Sequence, residues 1–462
     1  MAAEPPVRPE PVPETAPTPS CAVRAVGWAP AAQAARGKPP SKVELTQAER
    51  HLEKALTSAG IKQGGGKTAP LLVTEGLKIA DPTARHWAVL EAVRSLRSSG
   101  RPVRILERAY GALTRQSGLM GLARTLRQEW PEMDLACWSL AAPASKLDLA
   151  GALVSGLSDA VLTPEGVLEQ VIETERPALS GAEPYSPGIW LVSGGARGVT
   201  SDCVLALAER LGGGTFLLAG RSMISPWPEG IAETDDLKAL RLSLINTAKT
   251  RGEKPKPKDV DALARTALAG REIRTTLAGL EALGARAEYL QLDLGDGDAV
   301  AATLAEAQAR HGAITGLVHG AGVLADGLAE TKTRAEVERV FAPKVEGFLS
   351  LLAALDTAAL KHVGLFSSAS AVFGNPGQSD YAMANAWLNR AARQLSEDLP
   401  DAQVKAFCWG PWNGGMVDAA LAAHFRTRGI ALIERADGAA IFADHLLYGA
   451  RSEVELLVGD DW

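Results

Sequence analysis

The sequence predicts an α/β protein with one mainly parallel sheet in each half of the chain. Short apolar runs typical of strands alternate with helical patterns along nearly the whole length, and such alternation gives parallel strands joined by crossover helices. The 462 residues exceed what one hydrophobic core usually organises, so about two to three domains are expected. Only the second half has a glycine-rich turn after a strand pattern, SGGARGVT at 193–200.

The composition is that of an ordinary globular protein, with 46% hydrophobic and 22% charged residues. The formal net charge of -6 provides no basic field that would favour nucleic acid or an anionic membrane. The four cysteines are Cys21, Cys137, Cys203 and Cys408. They lack metal-ligand spacing, and we find no signal peptide and no apolar run of about 18 residues. We therefore expect a reduced, cytoplasmic protein that binds no metal, nucleic acid or membrane.

The first half is predicted to be structural. Residues 1–20 alternate Pro with Glu, Ala and Thr, which favours an extended linker and suggests a piece of a longer protein, although a natural N-terminus is the alternative. A domain is predicted over 21–184. Its strands are predicted at 22–28, 70–76, 101–108 and 135–141, and a helix at 117–133. Because no polar cluster suggests chemistry in this half, we expect it to be a scaffold.

The second half, residues 185–462, predicts a complete doubly wound parallel sheet of about seven strands. These strands are predicted at 189–193, 215–219, 287–291, 315–318, 363–367, 404–408 and 454–458. After the second strand there are roughly forty more residues than a strand–helix–strand unit requires. Two helical patterns within 223–279 flank the breaker GEKPKPK at 252–258, so we predict an inserted helical hairpin on the surface. Its charges are interpreted as a solvated face, with a binding patch as the alternative.

The turn at 193–200 has the residues of a nucleotide-binding loop. Gly194, Gly195 and Gly198 follow the apolar strand IWLVS and precede a helix that begins near Thr200. Glycines in this position let the backbone approach a pyrophosphate at a helix N-terminus, although an ordinary strand-to-helix turn uses the same residues. We predict that the three glycines bind a dinucleotide cofactor.

Charge beside this loop indicates which cofactor is bound. Arg197 lies inside the loop and Arg221 ends the next strand, where an acidic residue would bind a free ribose 2′-hydroxyl. Two arginines and no carboxylate favour a 2′-phosphate, and hence NADPH. Asp293 is placed to meet the adenine, and the small residues of HGAG at 319–322 let the backbone lie along the cofactor. The other residues predicted to bind the cofactor are Val199, Ser222, Leu294, Gly320, Ala321, Gly322 and Pro411.

Four residues have the spacing of a proton-donating site. Tyr381 and Asn385 are four apart, so they share one face of a predicted helix. Ser368 ends a predicted strand, at the sheet edge where α/β proteins gather ligands. The two hydroxyls can polarise and protonate one carbonyl oxygen, and a phenol needs a nearby cation to give up its proton near neutral pH. Lys344 is the candidate cation. Taken singly, each residue is more simply explained without a catalytic role, but together they predict a carbonyl reductase.

The segment FSSASAVFGNPGQSDYAMANAWLN at 366–389, with Lys344 lying 24 residues before Ser368, resembles a known family. It is similar to the ketoreductase domains of type I polyketide and polyunsaturated fatty acid synthases, a branch of the short-chain dehydrogenase/reductases. In these domains asparagine follows the tyrosine and the lysine lies upstream, as here. GLMGLARTLRQEWPEM at 118–133 resembles the signature helix of the family's first half. The resemblance implies two Rossmann-like subdomains, a degenerate structural one followed by a complete cofactor-binding one.

The resemblance also implies a role for each site residue. Tyr381 donates the proton and Ser368 holds the ketone oxygen. Lys344 lowers the pKa of the tyrosine and holds the nicotinamide ribose, while Asn385 orients the lysine or relays protons. The implied substrate is a 3-ketoacyl thioester on the phosphopantetheine arm of an acyl carrier domain, reduced to the 3-hydroxyacyl thioester by NADPH. Other domains of the same synthase are the further implied partners. Within the family, the loop and the insertion look most like polyunsaturated fatty acid synthases.

Four residues are candidates for substrate contact. Trp412 and Met416, in CWGPWNGGMV at 408–417, are candidate wall residues under a mobile lid, with core packing as the alternative. Asp326 keeps the second aspartate of the family's Leu-Asp-Asp motif, and Phe373 stands where the opposite stereochemical class has tryptophan. This favours the 3R alcohol. A catalytically silent scaffold and a free-standing reductase of small ketones are the alternative functions. The one departure in the cofactor loop is Thr200, where the superfamily has a further glycine.

Overall fold

The computed structural model describes residues 21–31, 39–174, 177, 179, 187–415, 417, 419–427 and 429–459. The predicted linker at 1–20 and the candidate substrate residue Met416 lie outside the described residues.

The described strands and helices follow the predicted alternation. The strands are β1 (Val23–Pro30), β2 (Lys42–Leu45), β3 (Lys62–Gln63), β4 (Leu71–Val73), β5 (Val103–Arg108), β6 (Leu135–Leu140), β7 (Asp159–Thr163), β8 (Gly166–Ile172), β9 (Ile189–Ser193), β10 (Thr215–Gly220), β11 (Arg286–Gln291), β12 (Gly316–His319), β13 (His362–Ser368), β14 (Gln403–Trp409) and β15 (Glu455–Val458). The helices are α1 (Arg50–Ser58), α2 (Pro82–Leu96), α3 (Leu119–Glu129), α4 (Leu149–Val154), α5 (Gly198–Leu211), α6 (Leu237–Thr250), α7 (Pro257–Ala282), α8 (Gly297–His311), α9 (Arg334–Phe341), α10 (Gly347–Ala353), α11 (Ala369–Phe373), α12 (Ser379–Asp398), α13 (Ala419–Thr427) and α14 (Arg435–Tyr448).

The second half forms the predicted doubly wound sheet. Its strand order is β11-β10-β9-β12-β13-β14-β15, and every neighbouring pair is parallel. The chain order reverses between β9 and β12, and a crevice opens at such a switch point outside the carboxyl ends of the strands. The fold-class prediction is therefore confirmed, and the topology puts the predicted cofactor loop, after β9, at the switch point.

The two halves share one sheet, which was not predicted. β1 pairs antiparallel with β15, Val23 lying opposite Val458, and on its other edge with β8, Val26 lying opposite Ile172. The partner strand β8 belongs to a tight β7–β8 hairpin that was also missing from the predicted elements. All fifteen strands among the described residues consequently join into a single sheet. The division into domains at residues 20 and 184 stays a prediction.

Helix α3 of the first half packs directly on α12 of the second. A side chain at Gly118 or Gly121 would collide with the backbone carbonyl oxygens of Met383 and Ala382. The surrounding apolar side chains of both helices belong to one buried cluster that includes Leu122. Glycines are needed on α3 because the two backbones touch.

The inserted helical hairpin is present as α6 and α7. Its own small core is formed by Leu240, Leu244, Val260, Ala264 and Ala267. The second helix runs for 26 residues without a break into the crossover back to the sheet. Pro257 lies in the first turn of α7, where its missing amide hydrogen removes no helical hydrogen bond. In the part of the chain that is described, no helix combines the length and the apolar composition needed to cross a membrane.

Candidate active site

Lys344 lies in a π-helical turn, Ala342–Glu346, that joins α9 to α10. Pro343 within it lacks the amide hydrogen that a regular helix would use, and such wide turns are frequent at functional sites. The turn buries the lysine, whose Nζ donates to the Phe366 carbonyl oxygen of β13 at 2.9 Å. The same Nζ lies 5.3 Å from the centroid of the Tyr381 ring. Burial lowers the pKa of Lys344 to about 7.

Tyr381 and Asn385 lie one turn apart at the start of α12, as predicted. Asn385 Nδ2 donates to the Tyr381 carbonyl oxygen at 2.9 Å. Burial raises the pKa of Tyr381 to about 12; a hydrogen bond from the Asn385 side chain opposes that rise, and the charge of Asp326 adds to it. The Asn385 side chain is fully buried, and its Oδ1 has no hydrogen-bond partner among the described residues. A buried acceptor of this kind calls for a donor from a ligand or water.

Ser368 is the last residue of β13 and caps α11. Its Oγ accepts from the Ser370 amide at 3.2 Å and from the Ser370 hydroxyl at 3.0 Å, which leaves its own hydrogen available to a ligand. The adjacent Ser367 hydroxyl donates to the Asn385 carbonyl oxygen at 3.2 Å. This bond ties the end of β13 to α12 one turn after Tyr381. The structure therefore brings the elements that carry the four predicted residues together at the carboxyl edge of the sheet.

His319, the last residue of β12, was not among the predicted site residues. Its Nε2 lies 3.0 Å from the Lys344 carbonyl oxygen and its Nδ1 lies 2.7 Å from Ser193 Oγ. A carbonyl only accepts, so Nε2 carries the hydrogen and Nδ1 accepts from the serine. Burial, together with the charge of Lys344, lowers the pKa of His319 to about 3, so the ring is neutral. His319 thus fixes the backbone of the lysine turn; a histidine ending a buried strand was the signal that could have revealed it.

The glycines of the predicted cofactor loop let the end of β9 lie close to the end of β12. Gly194 and Gly198 have φ angles of 70° and 63°, in the left-handed region that favours glycine. A Cβ on Gly194 would lie 2.9 Å from both the Ala321 nitrogen and the Gly320 carbonyl carbon. The third predicted glycine, Gly195, packs against the side chain of Val192. The ends of β9 and β12 can therefore lie side by side only without side chains between them.

Thr200 is accommodated in this loop by a second glycine. It is 5% exposed and lies in the first turn of α5. A Cβ on Gly320 would lie 2.6 Å from its methyl carbon and 2.7 Å from its hydroxyl oxygen. The threonine side chain therefore fills the space that the absent side chain of Gly320 leaves.

The residues predicted to bind a 2′-phosphate lie beside the end of β10. Arg197 Nη1 donates to Ser222 Oγ at 3.3 Å, and its Nε donates to Glu272 of α7 at 2.6 Å. Arg221 is exposed and makes no hydrogen bond or ion pair to any described residue. The Tyr289 hydroxyl donates to the Ser222 carbonyl oxygen at 2.7 Å. Glu272, which orients Arg197, was not predicted.

The remaining cofactor residues are divided between surface and core. Asp293 is exposed after β11 and accepts from the Gly295 amide at 3.1 Å. Leu294 is 5% exposed and belongs to the main core. A Cβ on Gly322 would lie 2.8 Å from Lys344 Cε, which shows why a small residue is needed there.

The last two predicted cofactor residues follow β9 and β14. Val199 is the second residue of α5, and a Cβ on Gly415 would lie 3.1 Å from its Cγ1. Pro411 is buried, and its carbonyl oxygen accepts from the Ile433 amide at 2.8 Å.

The predicted substrate residues do not share one environment. Asp326 is exposed and accepts from Gln378 Nε2 at 3.2 Å, close to the start of α12. Trp412 is 5% exposed, with its ring 4.8 Å from that of Trp409, so the structure favours the core-packing alternative. Phe373 packs against a small cluster at the seam between the halves. Trp412 therefore lies in a core, Phe373 is partly buried at the edge of one, and Asp326 is exposed.

The arrangement fits a nicotinamide cofactor. The glycine loop leaves room that a Cβ would fill, and Asn385, one helical turn after Tyr381, has a buried oxygen that lacks a hydrogen-bond partner among the described residues. Over the described ranges, no group of three or more His, Cys, Asp or Glu side chains could hold a metal ion.

Comparison with known proteins agrees with this geometry. Residues 188–414 match the model of the KR domain family. One of the proteins that make up the polyunsaturated fatty acid synthase of Thraustochytrium is 35% identical over 368 residues, which cover 76% of this chain and 13% of that protein. Polyketide synthase PksN of Bacillus subtilis is 27% identical over 339 residues, which cover 71% of this chain and 5% of that protein. The chain thus spans a small part of the relatives that it matches.

Solved structures show the same fold. A ketoreductase domain from the bacillaene assembly line has a TM-score of 0.67 at 20% identity and covers 95% of this chain and 97% of that one. An A1-type ketoreductase has a TM-score of 0.70 at 21% identity and covers 95% and 93%. The family model, the relatives and the fold lead to one conclusion: the chain belongs to the KR family, the ketoreductase domains found in polyketide and polyunsaturated fatty acid synthases.

Proposed function

We propose that the protein reduces a 3-ketoacyl thioester to the 3-hydroxyacyl thioester with NADPH. The observation that carries the proposal is the position of Lys344, whose Nζ is held on the Phe366 carbonyl oxygen and lies 5.3 Å from the centroid of the Tyr381 ring. A cation held there stabilises the phenolate that remains when the tyrosine gives up its proton.

The side chains perform the acid half of the reaction. When bound, NADPH supplies the hydride that adds to the carbonyl carbon. The Tyr381 hydroxyl gives its proton to the carbonyl oxygen, so that one C–H and one O–H bond form and the product is an alcohol. Ser368 donates its free hydrogen to the same oxygen, because its lone pairs already accept from Ser370. Charge that develops on the oxygen is therefore met by two hydroxyl donors.

NADPH, rather than NADH, is proposed from the residues at the end of β10. Arg197 and Ser222 are joined by a 3.3 Å hydrogen bond, and the exposed Arg221 is adjacent in sequence. Guanidinium groups favour phosphate through paired charge-assisted hydrogen bonds. A carboxylate that would bind a free ribose 2′-hydroxyl is missing from the two positions that end β10 and follow it.

We further propose that the chain acts as one domain of a larger cytoplasmic synthase. Both relatives are synthases, and this chain matches 13% or less of each. An acyl carrier domain would then present the 3-ketoacyl chain, and Asp326 beside α12 supports the 3R alcohol. Four buried thiols agree with a reducing compartment.

The test is reduction of a 3-ketoacyl N-acetylcysteamine thioester. The reaction is monitored by the loss of NADPH absorbance, and the product is analysed by chiral chromatography. We expect a 3-hydroxyacyl thioester that is mainly 3R, formed with NADPH in preference to NADH. Calorimetric titration with NADPH runs in parallel. Absence of both turnover and NADPH binding would favour a silent scaffold, and a 3S product would overturn the stereochemical assignment alone.

A further inference from the structure

Two loops of the second half meet beside the proposed reaction site. The substrate loop, residues 324–332, carries Asp326, and the tyrosine loop, residues 374–378, leads into α12 and Tyr381. The Gly327 amide donates to the Gly377 carbonyl oxygen at 2.8 Å, and Gln378 Nε2 donates to Asp326 Oδ1 at 3.2 Å. The relative position of these loops therefore sets the position of Asp326 against the proton donor.

A carboxylate of the first half bridges the two loops. Glu129, the last residue of α3, accepts from the Ala329 amide of the substrate loop at 2.7 Å through Oε2. Its Oε1 accepts from the Gly377 amide of the tyrosine loop at 2.8 Å. Both bonds are charge-assisted and go to backbone groups, which cannot swing away as side chains do. Only a side chain with two acceptor oxygens satisfies both amides.

The same residue of the substrate loop, Ala329, is also bound by a side chain of α2. Arg94 donates to the Ala329 carbonyl oxygen through Nε at 3.1 Å and Nη2 at 2.6 Å, and Nη2 also donates to the Lys332 carbonyl oxygen at 2.8 Å. The first half thus binds the N–H of Ala329 with an anion and its C=O with a cation.

A buried ion pair relays this position to the tyrosine. Lys332 and Asp380 are 0% and 1% exposed, with Nζ 3.2 Å from the carboxylate, and Lys332 Nζ also donates to the Ala325 carbonyl oxygen. Asp380 Oδ1 in turn accepts from the Tyr381 amide at 2.9 Å. A shift of the substrate loop would therefore also displace Asp380, the residue that precedes Tyr381.

We propose that Glu129 is a positioning residue, by which the half without cofactor residues fixes Asp326 against Tyr381 and so orients the ketone. Packing of α3 on α12 does not need this carboxylate, because it rests on Gly118, Gly121 and the apolar cluster around them. Removing the carboxylate should consequently loosen two loops and leave the interface between the halves in place. The inference rests on the proposed function for its kinetic readout.

The decisive variant is Glu129→Gln, which places an NH2 group against one of the two backbone donors. We expect the proportion of the minor alcohol to rise about tenfold and the KM for the thioester to rise more than kcat falls, as one charge-assisted bond is lost. Amide hydrogen exchange in peptides covering 325–332 and 374–378 should become faster. Glu129→Asp keeps both acceptor oxygens and should restore part of the selectivity; it replaces the amide variant if that variant does not fold.

Glu107→Gln is the matched control. Glu107 is a fully buried carboxylate of the first half that also faces α12, through Arg390 at 3.5 Å, but it contacts neither loop. This variant should lose stability while keeping the product ratio and the loop exchange rates of the wild type. Wild-type selectivity, KM and loop exchange in Glu129→Gln would overturn the inference. If the wild type itself does not turn over, the proposed function fails and the exchange rates alone decide the role of Glu129.

Discussion

The two halves of the molecule use the same strand–helix units in one sheet, yet the residues at the ends of their strands make different contacts. In the first half, Thr46 Oγ1 after β2 donates to Glu75 Oε2 at 2.7 Å, and Thr74 Oγ1 after β4 donates to the Gln47 carbonyl oxygen at 2.8 Å. These bonds close the strand ends on each other. In the second half, the ends of β9 and β12 meet through Gly194 and the backbone of Ala321. Within this topology, the residues at the strand ends therefore decide which ends leave room for a ligand.

The largest effect expected from this difference is that of Tyr381→Phe. Removing the phenol oxygen takes away the proposed acid and should lower kcat by roughly a thousandfold, within the usual range for a general acid. NADPH affinity, measured by calorimetry, should stay near that of the wild type because the nucleotide loop is unaltered. Retained turnover would remove Tyr381 from the role of proton donor.

Gly194 tests the strand ends directly, and Gly100, which follows a short helix of the first half, serves as its control. Gly194→Ala puts a Cβ 2.9 Å from the backbone of the β12 end at a φ of 70°, so we expect NADPH affinity to fall by roughly a hundredfold as the loop is displaced. Gly100→Ala has a similar φ of 64° but nothing within 4 Å. It should lower the free energy of unfolding by about 1–2 kcal/mol and leave NADPH binding unchanged. Equal binding in both variants would contradict this account of the loop.

The pH dependence of kcat/KM tests the buried lysine. Lys344, with its pKa lowered to about 7 by burial, is charged below that pH and loses its charge above it. The cation assists proton donation by Tyr381, so kcat/KM for reduction should fall as pH rises through about 7, by up to about tenfold per pH unit. His319 and Tyr381, with pKa values of about 3 and about 12, do not titrate there, whereas Asp380, raised to about 6 by burial, titrates on the acid side.

Lys344→Met is the companion variant for this profile. This variant should reduce the thioester slowly, and its kcat/KM should not fall near neutral pH, because the titrating cation has been removed. A wild-type profile that is flat through neutral pH would contradict the assignment of the fall to Lys344.

The smallest effect is expected from a substitution of the arginine proposed to bind the 2′-phosphate of NADPH. Arg221→Ala should weaken NADPH binding by roughly tenfold, through loss of one charge-assisted contact, and leave NADH binding unchanged. Arg265→Ala removes an arginine of α7 whose side chain is 63% exposed and pairs with Asp261, so it serves as the control. Equal losses for both nucleotides in Arg221→Ala would place the 2′-phosphate elsewhere.

Much of the second half could be read from local pattern. The predicted strand at 189–193 is β9, and the strand predicted at 363–367 lies within β13, because each is a short apolar run that is buried on both faces. Tyr381 and Asn385 meet because four residues make one helical turn. The pairing of β1 with β15 was not predictable in this way, since its partners Val23 and Val458 lie at opposite ends of the chain.

Local sequence was sufficient to predict the fold class and to nominate the cofactor loop, Ser368, Tyr381 and Asn385, because spacing along the chain places each of them on a strand end or a helix face. Three other features came from tertiary contacts alone: Trp412 lies in a core, His319 holds the turn of Lys344, and Glu129 joins the loops around the site. These contacts connect residues far apart in the chain. They depend on which elements pack against each other in three dimensions, and the periodicity of the local sequence does not determine that packing.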